Sequence, residues 1–399
     1  MNDFLPFLQK SPTVFHAAEE IVHQLKKKGF APLEETTRWN LHPGKSYFVL
    51  RGGSLVAAFR IPKKEIVSAT LLATHIDSPG LKLKPCPHIT TQQISQFGTE
   101  VYGAPLLHTW LDRDLVVSGR LDGKLVHFED HPLIIPSLAI HLDRNVTEKG
   151  LIVHKQDHLK PIVSLQADHA LAKTIQSATS FDLFLTPLEK PALLGHKKEL
   201  LAGYRLDNLT SAYAALQGLL HTSAQESVLQ MALFWDHEEI GSMSYVGADS
   251  SFADQLLERI FKKDREDFFC MKSRSRCLSL DVGHGFHPNF AEKFDPQNQI
   301  SLGKGVAIKH NANQKYATHT DTLSWVTKWA KKKKIALQSF AGRSDIPSGS
   351  TVGSMLASHL GIPTLDVGIA TWAMHSIRET IAVQDEQSLI DFCTTALEG

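Results

Sequence analysis

The chain has no excess of charge: 42 Lys+Arg balance 42 Asp+Glu over 399 residues. That argues against nucleic acid or an anionic membrane as the main partner. Cysteine is scarce. Cys86, Cys270, Cys277 and Cys393 are scattered and form no C-x-x-C, so they read as reduced thiols of a cytoplasmic protein. No apolar run approaches the length of a membrane helix. Residues 1–10 hold no basic stretch followed by an apolar one, so no signal peptide is expected. Neither G-x-x-x-x-G-K-[ST] nor a strand-borne G-x-G-x-x-G is present. Gly241-Ser242 and Gly349-Ser350 do not build a G-x-S-x-G elbow. His237-Glu238-Glu239 lacks the second histidine of H-E-x-x-H. Internal repeats and low-complexity segments are also missing.

Hydrophobic residues make up 42% of the chain, and histidine is abundant at 21. The length predicts two domains. A helix should run from Ser11-Pro12-Thr13 to Lys28 and stop at Gly29. Tyr47–Leu50 and Leu55–Phe59 flank Arg51-Gly52-Gly53-Ser54 and predict a hairpin. Ile66–Thr74 and Val228–Trp235 are continuous apolar runs, as in strands buried on both faces. From about Lys84 to Pro191 the texture changes. Short β-type runs (Leu115–Val117, Leu125–Phe128, Leu133–Ile135, Leu151–Val153, Ile162–Leu165) show little helical periodicity. Residues 84–191 are therefore expected to form an inserted β-rich domain, and 1–83 with 192–399 the main α/β domain.

In an open α/β sheet, ligands bind outside the carboxyl ends of the strands. Trp235 is followed there by Asp236-His237-Glu238-Glu239, and a glutamate pair alone is usually solvated surface. His75 and Asp77 end another strand, two apart and facing one side. Asp77 can fix the tautomer of His75, although a structural His-x-Asp turn fits equally well. Asp207 precedes a helix, where an aspartate also caps. Asp281 ends the strand Leu278–Leu280, with His284 and His287 as nearby rivals. His375 lies among apolar neighbours, the ordinary setting of a core histidine. Together, His75, Asp207, Glu239, Asp281 and His375 are the ligand mix of a two-metal hydrolytic site with zinc-like cations. Glu238 would stay free as a general base.

At this point the sequence resembles the aspartyl aminopeptidases, dinuclear zinc exopeptidases, along nearly its whole length. The resemblance is carried by Thr74-His75-Ile76-Asp77-Ser78-Pro79, Trp110-Leu111-Asp112-Arg113-Asp114-Leu115, Leu138-Ala139-Ile140-His141-Leu142 and Arg205-Leu206-Asp207-Asn208-Leu209. Further blocks are Asp236 to Ser242, Asp281-Val282-Gly283-His284 with His287-Pro288-Asn289, Ile308-Lys309, and Ala373 to Glu379. It implies a mixed, mostly parallel sheet flanked by helices, with a β-rich insert that builds dimers and then a dodecamer. It implies two zinc ions per subunit, with cobalt or manganese as possible substitutes. His75 and Asp281 would hold one ion, Glu239 and His375 the other, and Asp207 would bridge. Glu238 would be the base, with Asp77 supporting. His141 would reach a neighbouring subunit's site, and Lys309 would meet an acidic substrate side chain. Ile76 and the loop Ser344–Thr351 depart from the family's pattern. The function implied is removal of acidic N-terminal residues from peptides. The rival readings are an aminopeptidase of other preference, a metal-dependent N-acyl amino acid deacylase, and a non-catalytic shell protein.

Overall fold

The structure is a computed structural model that describes residues 3–399. Its centre is a nine-stranded sheet. In spatial order the strands are Ala31–Pro32, Ser46–Arg51, Leu55–Arg60, Val228–Trp235, Ser68–His75, Arg276–Leu280, Thr364–Gly368, Val306–Lys309 and Leu337–Phe340. Five of the eight neighbouring pairs are parallel and three antiparallel, so the mixed, mostly parallel sheet is present. The four strands beginning at Val228, Ser68, Arg276 and Thr364 all run one way, and their carboxyl ends share one edge of the sheet.

Helices cover both faces. Leu72, Ala232 and Phe234 point into a core shared with Val14–Lys27, Leu206–His221, Thr320–Lys333 and Val383–Glu398. Leu71, Ala73, Met231, Leu233 and Trp235 point into the opposite core, against Phe252–Phe261, Arg265–Arg274 and Val352–Leu360. Alternate residues of one strand thus meet two apolar layers, which is why the central strands read as unbroken hydrophobic runs. The first long helix closes where expected: Val14–Lys27 ends before Gly29, at φ 81°, a backbone region open to glycine at no steric cost. Among the described residues no helix is long and apolar enough to cross a membrane.

A six-stranded antiparallel sheet takes its strands from Gly80 to Pro187, with a core of its own around Leu83, Phe97, Trp110, Val117 and Leu183. Two local expectations fail here. Leu151–Val153 is not a strand: Ile152 stands 83% exposed in irregular backbone. The helix Ala170–Ser177, buried through Leu171, Ala172 and Ile175, was not anticipated.

A third sheet was not foreseen either. It joins Ala192–Leu194, Leu200–Gly203, Glu379–Ala382, Ala370–Trp372 and Gly283–His284. Gly203 pairs with Glu379, and Gly283 with Ala370. This small sheet draws the segments that carry Asp207, Asp281 and His375 together above the strand ends.

Candidate metal centre

His75 is the last residue of its strand and is almost wholly buried. Its Nδ1 faces Asp77, at 3.4 Å from Oδ1 and 3.2 Å from the main-chain oxygen. That leaves Nε2 directed at three carboxylates: Asp207 Oδ1 at 3.5 Å, Asp281 Oδ1 at 3.6 Å and Glu238 Oε2 at 3.9 Å. His375 presents its Nε2 to Asp207 Oδ2 at 3.3 Å and Glu239 Oε2 at 3.4 Å. Its Nδ1 faces the Ala104 carbonyl at 3.0 Å, which fixes that nitrogen as the protonated one. The two oxygens of Asp207 therefore face two different imidazoles. One ligand atom each from His75, Asp207 and Glu239 falls within 4.8 Å of the others.

The donor set fits divalent cations. Asp207 Oδ1 and Glu239 Oε1 are buried with no hydrogen-bond partner, a costly condition for a carboxylate unless something else satisfies it. Burial and then Asp207 push the Glu239 carboxyl well above its ordinary range. Burial also drives Glu238 up, to about 8; His75 opposes the rise and Asp281 adds to it. For His375, burial lowers the imidazole but the contact with Asp207 outweighs it, giving about 9. So many negative charges in one buried place call for positive charge in return.

These shifts predict a proton count. Imidazole must be neutral, and carboxyls ionised, to ligate a metal. At pH 7 the metal-free chain holds a proton on the His375 imidazole, which titrates near 9, so binding must expel it. Zinc affinity should accordingly rise with pH up to about 9 and level off above. Calorimetry at pH 7 in buffers of different ionisation enthalpy should report release of at least about one proton per chain. Zero net release would contradict this electrostatic description.

The chain has relatives that match it over nearly its whole length. The family described as Aminopeptidase I zinc metalloprotease (M18) matches residues 7–395. The chain belongs to the M18 zinc metallo-aminopeptidases. A probable M18 family aminopeptidase 2 of Clostridium novyi is 38% identical, over 96% of this chain and 95% of its own length. One of Pseudomonas savastanoi is also 38% identical, over 98% and 96%. Among solved structures, the M18 aminopeptidase of Thermotoga maritima superposes with a TM-score of 0.88 at 26% identity, covering 99% of this chain and 95% of that one. The S. cerevisiae mApe1 dodecamer superposes at 0.85, also at 26% identity, with the same coverage.

Within this M18 chain the structure gives Lys309 different surroundings from those expected. The resemblance implies that Lys309 meets an acidic substrate side chain. Lys309 is instead 2% exposed, and Nζ donates to Asp281 Oδ2 at 2.8 Å, the Val282 carbonyl at 3.1 Å and the Asp281 carbonyl at 3.3 Å. All three ammonium donors are used, and Asp281 is left with Oδ1 directed at the cluster. Burial lowers the ammonium's pKa, but the Asp281 carboxylate outweighs it and keeps the group charged. His141 lies in the exposed segment 138–142 of the six-stranded region. Among the described residues no hydrogen bond or ion pair joins it to the cluster.

Sequence reasoning missed Glu379. Its Oε2 accepts from the Asp207 amide at 2.8 Å and its Oε1 from the His375 amide at 2.7 Å, so one buried carboxylate ties together the backbones of two cluster residues. His375 is four residues away in the chain, but Asp207 is 172 away and meets Glu379 only on folding, and no local pattern marks a glutamate for that task. Five of the thirteen described non-glycine residues with left-handed backbone, Arg205, His237, Ser242, Ala373 and His375, lie in the segments that carry the cluster.

Proposed function

We propose that the chain is a dinuclear zinc aminopeptidase that removes acidic N-terminal residues from peptides. His75 and Asp281 would hold one ion, Glu239 and His375 the other, and Asp207 would serve both. The observation that carries this reading is the placement of the two Asp207 oxygens, one toward each imidazole. Two bound cations would lower the pKa of a water and polarise the scissile carbonyl. Glu238 would accept a proton from that water at its carboxylate and pass it to the departing amine. It sits beside the cluster, 3.9 Å from His75 Nε2, and a carboxyl raised toward neutrality suits a proton carrier.

Lys309 acts through Asp281 in this account, and the acidic preference rests on the family resemblance. Initial rates on Asp-, Glu-, Leu- and Lys-anilides, with a free or acetylated amino group, test the substrate class. The reading expects Asp and Glu to lead and acetylation to abolish turnover. A flat profile, a preference for Lys, or equal hydrolysis of acetylated substrate defeats it; the last outcome favours a deacylase. Lys309→Met should lower kcat on every anilide by about 10–100-fold, the usual effect of removing support from a metal ligand, without changing their rank. A selective loss on Asp and Glu alone would return Lys309 to the substrate.

The six-stranded region exposes Leu138, Leu142, Ile152 and Leu165, the last at 78%, a surface that suits burial against another chain. We place the insert, residues 84–191, in dimers that assemble to a dodecamer, with His141 donating to the developing oxyanion of a neighbour's site. Mixed oligomers of His141→Ala and Glu238→Gln subunits should then regain activity that neither variant has alone, and an absence of complementation counts against the shared site. The four free cysteines suit a reducing, cytoplasmic setting.

A further inference from the structure

Tyr102 ends the strand Ile94–Tyr102 of the six-stranded sheet, yet its hydroxyl belongs to the metal cluster's supports. The O–H donates to Asp77 Oδ2 at 2.7 Å. That oxygen also accepts from the Glu239 amide at 3.1 Å, and Oδ1 accepts from the Glu238 amide at 3.2 Å while facing His75 Nδ1 at 3.4 Å. Asp77 is buried, and it orients His75 and the Glu238-Glu239 turn at once. The contact with Tyr102 is the shortest of the four and the one that comes from outside the central sheet and its strand-end turn.

The next residues of the same segment reach the other half of the cluster. Gly103, at φ 68°, packs so closely that a Cβ there would stand 3.3 Å from Glu239 Cβ and from its carbonyl. The Ala104 carbonyl accepts from His375 Nδ1 at 3.0 Å, and the Leu106 amide donates to the His375 carbonyl at 2.9 Å. Ile377, two residues beyond His375, is buried in the core of the six-stranded sheet.

From these contacts we infer that Tyr102-Gly103-Ala104 is a positioning element through which the β-rich region sets the geometry of the metal centre, with the Tyr102 hydroxyl fixing Asp77. This rests on the metal-centre reading above. Burial, and then the carboxylates of Asp77 and Asp236, push the phenol far up, so Tyr102 remains a donor at any working pH. Its ring is held independently, edge-on to Phe184 at 5.7 Å and tilted against His237 at 6.3 Å. Phenylalanine at this position would keep those ring contacts and lose only the hydroxyl.

The experiment is Tyr102→Phe in the full chain, with zinc dissociation constants from chelator competition, the melting midpoint of the metal-free protein, and kcat and KM on one substrate. The expected result is zinc binding weaker by about ten-fold or more, a lower kcat with KM little changed, and a metal-free midpoint close to wild type. Zinc bound as tightly as by wild type would overturn the inference, whatever happens to turnover. So would an affinity loss matched by an equal destabilisation of the metal-free protein, since that is packing and not positioning. Failure of the wild-type chain to bind zinc would instead sink the metal-centre reading.

Discussion

Glu238→Gln will bind zinc like the wild type and turn over substrate about 10²–10⁴-fold more slowly, the usual range for loss of a general acid–base. Glutamine keeps the shape of the side chain and removes its capacity to accept a proton. Glu238 is the most distant of the three carboxylates around His75: its Oε2 lies 3.9 Å from Nε2, against 3.5 Å for Asp207 and 3.6 Å for Asp281, while the contacts of His375 Nε2 are with Asp207 and Glu239. Metal content by elemental analysis and steady-state kinetics separate the two properties. The sharp form of the claim is intact zinc together with a collapsed kcat. A variant that loses zinc would make Glu238 a ligand, and one with near-normal turnover would put the base elsewhere.

Asp207→Ala should be at least as damaging, for a different reason. Asp207 is the only residue of the cluster whose two oxygens serve both halves, facing His75 at 3.5 Å and His375 at 3.3 Å. Alanine leaves two incomplete half-sites and, between them, Glu238 and Glu239 with less charge crowding. Zinc stoichiometry should fall from two per chain to one or none, and activity should drop by about 10² or more, as when a metal or its support is lost. Retention of two tightly bound ions would show that Asp207 is a cap of its helix and no bridge. The amide of Asp207 is held by Glu379, so the backbone of the variant keeps its anchor, and the effect can be assigned to the carboxylate.

The parts of this account legible in the sequence share a physical origin. Val228–Trp235 could be read because a strand covered on both faces must be apolar at every position. The residues that follow it could be read because chemistry gathers where such strands end. His75, Asp207, Glu239, Asp281 and His375, spread over some three hundred positions, meet within a few ångströms in the structure. What stayed hidden depends on pairing between distant segments. Glu379 has a task only because the strand Glu379–Ala382 lies against Leu200–Gly203. Tyr102 matters only because a strand of the second sheet ends beside Asp77. The surroundings of Lys309 were equally hidden, because a lysine is ordinarily exposed and nothing nearby in the chain announces that its three donors meet Asp281 and Val282. Leu151–Val153 was misread because an apolar run signals burial without saying in which molecule, and here Leu151 and Ile152 are exposed on the single chain while Val153 packs against the second sheet's core.

Anomalous diffraction at the zinc edge, on crystals of the zinc-loaded protein, tests the central claim most directly. The account predicts two peaks per chain, one against His75 and Asp281 and one against His375 and Glu239, both touching Asp207, with Glu238 bound to neither. A single peak, or two peaks with Glu238 among the ligands and Asp207 outside them, would contradict it.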